Sequence, residues 1–106
     1  MVSVWNHCGM PSLDRLLKEH LKDEFPAAIE KGRGYGEVDP VMIDADLYGW
    51  AITVHRDGTI SADDRRRLDK AAKELQRSMT SLPLDAVPYY ERLLELARAT
   101  LRQAPS

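Results

Sequence analysis

Leu13, Leu16, Leu17, His20, Leu21 and Phe25 recur at the i, i+3, i+4, i+7 spacing of one helical face. Ser12, following Pro11, is placed to cap that helix, and Pro26 ends or kinks it, with Ala27–Lys31 adding at most one further turn. From Val41 to Val54 the pattern changes. Val41, Ile43, Ala45 and Leu47 share one parity, and Trp50, Ile52 and Val54 the other. Read with a period of two, this predicts strands interrupted by a bulge or bend near Tyr48-Gly49, since a one-residue slip exchanges the two faces of a strand. Arg56-Asp57-Gly58 then reads as a tight turn and Thr59-Ile60 as a short return. Ser61-Ala62-Asp63-Asp64 resembles a capping box, and Leu68, Ala71, Ala72, Leu75, Met79 and Leu82 form a narrow apolar stripe up to Pro83. In the last helix, capped by Asp85 with Pro88 in its first turn, apolar residues from Ala86 to Leu101 cover about half the circumference.

The predicted fold class is therefore α+β: an N-terminal helix, a small antiparallel sheet over about 41–60, then an antiparallel pair of C-terminal helices. Residues 1–10 read as an extended arm before a single domain. The glycines at 32, 34 and 36 mark 32–40 as a flexible connector. The expected core is Leu16, Leu17, Leu21, Ile43, Trp50, Ile52, Leu68, Leu75, Leu93, Leu94 and Leu101.

Charge narrows the function classes. Fifteen Lys and Arg oppose seventeen Asp and Glu among 106 residues, a net charge of −2. That balance fits neither a polycationic nucleic-acid tail nor an acidic disordered chain. A single cysteine, Cys8, excludes an internal disulfide framework and suits a reducing, cytoplasmic setting. The uncharged stretch 1–13 lacks a basic start and is interrupted by Asn6, His7, Gly9 and Pro11, so neither a signal peptide nor a membrane span is expected.

Candidate chemistry is sparse. His7, Cys8 and His20 lack metal-site spacing, and Cys8 with His20 lacks the context of a nucleophile–base pair. Gly32, Gly34 and Gly36 follow a helix and precede Glu37 and Asp39, the reverse of a phosphate-binding loop. The sharpest charged feature is Glu37, Asp39, Asp44 and Asp46, with no base between them. On a strand Asp44 and Asp46 would share a face. Beside these acids Tyr35 and Tyr48 offer exposed aromatic anchors, whereas Trp50 reads as core. Arg66, Lys70, Lys73 and Arg77 form a basic ridge on the second predicted helix, flanked by acids at i, i+4 spacing.

These residues support an intracellular protein-binding module, with no catalytic, metal or cofactor residues assigned. It docks a protein partner through the acidic-aromatic strip Tyr35, Glu37, Asp39, Asp44, Asp46 and Tyr48; an inhibitor or immunity-type protein is one version. The wide face of the last helix suggests a homodimer sharing Tyr89, Tyr90 and Leu94. The alternatives are a small metal-dependent enzyme using Asp44 and Asp46, with His55, and a nucleic-acid-binding accessory protein using the basic ridge.

Overall fold

Asp39 and Pro40 start a helix. The Asp39 carboxylate accepts hydrogen bonds from the backbone N–H groups of Val41 and Met42, at 3.0 and 3.1 Å. Pro40 occupies the first turn, where its missing N–H costs nothing. The helix ends at Gly58, whose left-handed φ of 81° lets its N–H reach the Val54 carbonyl at 2.7 Å. In the computed structural model, which describes residues 12–104, the region 41–57 is thus helical throughout.

The elements are α1 (Leu13–Lys22), α2 (Pro40–Asp57), α3 (Ala62–Ser78) and α4 (Val87–Gln103), with short 3-10 turns at Met79–Ser81 and Leu84–Ala86. The fold is all-helical, which overturns the α+β expectation. Among the described residues there is no strand, and the sole β-type pairing is an isolated bridge between Tyr35 and Val38. Ile43, Leu47, Ala51 and Val54 lie at i, i+4, i+8 and i+11, and all four are buried. The parity change near Gly49 is the drift of a 3.6-residue period across a two-residue ruler. The predicted turn at Arg56-Asp57-Gly58 is the end of α2, and Thr59-Ile60 links it to α3.

Side-chain bonds give the directions of the helices. Asp14 reaches His55 while His20 reaches Asp44, so α1 and α2 are antiparallel. The Tyr90 hydroxyl donates to the Pro40 carbonyl at 2.9 Å, placing the starts of α2 and α4 together. Arg65, at the start of α3, donates to the carbonyls of Ala104 and Leu101 at 2.7 and 3.2 Å, satisfying the open end of α4. Helices α2 and α4 each pack on all three others, whereas α1 and α3 do not touch. This accounts for the half-cylinder of apolar residues on α4. Tyr89, Tyr90, Leu93, Leu96, Ala97 and Thr100 are buried against three neighbours in one continuous core.

Of the expected core, Leu16, Leu17, Ile43, Leu68, Leu75, Leu93 and Leu94 are buried, while Trp50, Ile52 and Leu101 pack at its edge. Leu21 is the exception, with 68% of its surface exposed. The connector at 32–40 is anchored. Gly32 and Gly36 take left-handed φ values of 86° and 59°. Tyr35 is buried, and its hydroxyl accepts from the Glu30 N–H at 3.1 Å. The Glu37 N–H donates to Ser78 Oγ at 2.8 Å. The expected arm at 1–10, with His7 and Cys8, lies outside the described residues. No helix among the described residues is long and apolar enough to cross a membrane.

Candidate functional site: the cleft between α1 and α2

Val41, Asp44, Ala45 and Tyr48 follow one another at i, i+3, i+4 and i+7 on α2, so they form one stripe. Opposite them stand His20 and Leu21 at the end of α1, then Phe25 and Lys31 from the segment that leaves it. Together these eight residues line an open cleft of about 460 Å³. Its walls are mostly apolar, with a carboxylate at the base.

Asp44 is held from two sides. Its Oδ1 lies 2.9 Å from His20 Nε2, and its Oδ2 accepts the Tyr89 hydroxyl at 2.5 Å. The side chains of His20 and Asp44 are only 12% and 15% exposed. A ring nitrogen facing a carboxylate carries a proton, so His20 donates from Nε2 to Asp44. Burial first, and the Asp44 hydrogen bond second, push the Tyr89 hydroxyl far above its ordinary range, so it remains a donor at any ordinary pH. Rings close round this network. His20 is 5.3 Å from Tyr48 and 5.4 Å from Tyr89, and Phe25 meets the Tyr89 ring edge-on at 5.7 Å. Asp44 still has lone pairs to offer to an occupant of the cleft.

The structure disperses the acidic-aromatic strip. Residues two apart on a helix are about 200° apart, so Asp46 is exposed on a different side of α2 from Asp44. Asp39 is spent on capping α2. Glu37 makes a two-pronged pair with Arg77, at 2.7 and 2.8 Å, tying the connector to α3; this hydrogen bond keeps its carboxyl below the ordinary range. Tyr35 is buried under the Arg33 guanidinium, which sits 5.0 Å above its ring. From the strip, only Asp44 and Tyr48 reach the cleft.

His55 pairs with Asp14 at 3.0 Å, at the far end of α1, so it is not brought to Asp44. Among the described residues no three His, Cys, Asp or Glu side chains gather as a metal site would require. Tyr89, Tyr90 and Leu94 are buried within the chain, and both tyrosine hydroxyls donate to α2, so the dimer face expected of these three residues is not exposed. Each cation of the basic ridge has an acid beside it: Arg66 pairs with Asp63, Lys70 with Glu74, Lys73 with Asp69 and Arg77 with Glu37.

Sequence reasoning missed the network His20–Asp44–Tyr89 because its members lie 24 and 45 positions apart. The one available signal was a histidine seated within an apolar helical stripe. Comparison of the chain with protein-family models, with curated proteins and with solved structures finds no significant match.

Proposed function

We propose that the chain is a small helical binding module that docks a protein partner through the cleft between α1 and α2. The observation that carries this reading is a mostly buried carboxylate beside a largely apolar, open wall. Leu21 is 68% exposed at the edge of that wall, and Met42 is 58% exposed on the adjoining side of α2. Exposed apolar side chains beside an open cleft with few, well-placed polar groups are the general form of a recognition site. The partner presents an apolar side chain to Val41, Ala45, Phe25 and Tyr48, flanked by a hydrogen-bond donor for Asp44. Tyr89 and His20 hold that carboxylate in place before the partner arrives, so little ordering cost falls on binding.

An enzymatic reading gains less from the same geometry. His20 is oriented by Asp44 as a general base would be, yet among the described residues no Ser, Thr or Cys lines the cleft for it to activate.

Ala45 is exposed and lines the cleft, so Ala45→Arg fills the site without disturbing the core. Affinity capture read by quantitative mass spectrometry should retain one specific partner on the native chain and on a Lys73→Glu control. The partner should be lost on Ala45→Arg, with unchanged far-UV circular dichroism. A specific partner held equally by Ala45→Arg refutes the cleft as the docking surface.

A further inference from the structure

The outer face of α4 carries a charge pattern that the chain itself leaves unused. Glu91, Glu95, Arg98 and Arg102 lie at i, i+4, i+7 and i+11, within a stripe about 60° wide. All four are exposed, and none makes an ion pair among the described residues. This contrasts with α3, where the ridge cations are paired within the chain. Glu91–Glu95 and Arg98–Arg102 are like-charge i, i+4 neighbours that work against the isolated helix, and the one opposite-sign neighbour pair in the stripe, Glu95 and Arg98 at i, i+3, forms no ion pair. The helix dipole explains only Arg102, in the last turn; Glu91, Glu95 and Arg98 lie too far from the ends to gain from it.

The pattern is self-complementary when the helix is reversed. A two-fold axis beside this face of α4, perpendicular to the helix and level with the Leu96–Ala97 link, brings Glu91 opposite the partner's Arg102, and Glu95 opposite the partner's Arg98. Both pairs then recur in the symmetric direction, as a closed dimer interface requires. The same four side chains line a groove of about 810 Å³ between α4 and the segment following α3. Leu84, at the start of that groove, is 87% exposed. We propose that this face of α4 docks a second copy of the chain, antiparallel about a two-fold axis, with Glu91 and Glu95 paired to the partner's Arg102 and Arg98. The surface shares no lining residue with the α1–α2 cleft, so both can be occupied together.

Charge-swapped chains test the register. One variant, Arg98→Glu with Arg102→Glu, makes the stripe wholly acidic; the other, Glu91→Arg with Glu95→Arg, makes it wholly basic. Sedimentation equilibrium should show the native chain as a dimer. Each variant alone should be monomeric at the same concentration, with self-association weakened by roughly 100-fold. An equimolar mixture of the two should recover a heterodimer. Circular dichroism checks that each variant keeps its helices. A monomeric native chain, self-association that survives in either variant, or a mixture that stays monomeric would each overturn the proposal.

Discussion

Replacing Asp44 with alanine should destabilise the chain by about 3 kcal/mol, because it strands two donors in a partly closed site. The Tyr89 hydroxyl loses its acceptor at 2.5 Å and the His20 Nε2 proton loses its own at 2.9 Å. A hydrogen bond to a charged group is worth about 1.5–3 kcal/mol, and a buried donor left unpaired costs about 1–3 kcal/mol. The upper end of that sum does not apply, since His20 retains 12% exposure and can recruit water. Tyr89→Phe removes one donor and leaves Asp44 bonded to His20, so it should cost about 1.5 kcal/mol. The double variant is the informative one. With the tyrosine hydroxyl gone, Asp44→Ala no longer strands it, and the combined cost should be near 3 kcal/mol rather than the additive ~4.5 kcal/mol. Urea titration followed by circular dichroism measures all four corners of the cycle, and Asp44→Ala should lower Tm by roughly 15 °C. Additivity within ~0.5 kcal/mol would show that Tyr89 and Asp44 act independently, and the network account of the cleft would fail.

Two glycines should respond in opposite directions. Gly36→Ala combines a φ of 59° with a Cβ placed 2.8 Å from Ser78 Oγ and 2.9 Å from Ser78 Cβ, so a loss of about 3 kcal/mol is expected in the same titration. Gly49 lies inside α2 with nothing near its missing Cβ, and Gly49→Ala should stabilise by about 0.5–1 kcal/mol. Acid should weaken the fold through its surface pairs. Asp14, Glu37 and Asp57 are held below their ordinary values of 3.8, 4.5 and 3.8 chiefly by hydrogen bonds from Lys18, Arg77 and Arg56. Depressed carboxyls contribute stability above those values, and it is lost as pH falls through the lowered ones. Thermal scans from pH 6 to pH 2 should therefore show Tm falling below about pH 4.5, with a shallower fall in Glu37→Gln.

Three of the four helices were legible from their apolar stripes and prolines, although the cap expected of Asp85 is not made: Asp85 lies in the 3-10 turn before α4, which starts after Ala86 without a side-chain cap. Ser12 and Ser61 cap α1 and α3 through their hydroxyls, as their positions indicated. Helix α2 resisted because it packs on three neighbours, so apolar residues spread round it and Trp50 and Ile52 blur the stripe of Ile43, Leu47, Ala51 and Val54. Its β-branched residues Val41, Ile43, Ile52, Thr53 and Val54 favour strands locally, and tertiary packing outweighs that preference. Asp39-Pro40 at one end and Gly58 at the other were sufficient helix signals, each also open to a turn reading.

The candidate surfaces divide on the same physical ground. A charge counted along the sequence says nothing about whether the fold consumes it. Glu37 and Asp39 look like an accessible acidic strip until the connector and the α2 cap take them up, and the ridge on α3 looks basic until its i, i+3 and i+4 acids close on it. What remains after such local pairing is the part free for a partner. On α4 the remainder is the Glu91, Glu95, Arg98, Arg102 stripe, visible in the sequence as two like-charge i, i+4 pairs of opposite sign. Each like-charge pair costs the isolated helix a few tenths of a kcal/mol, offset in part by Glu95 and Arg98 at i, i+3, and a reversed copy of the same stripe sets an opposite charge against all four side chains.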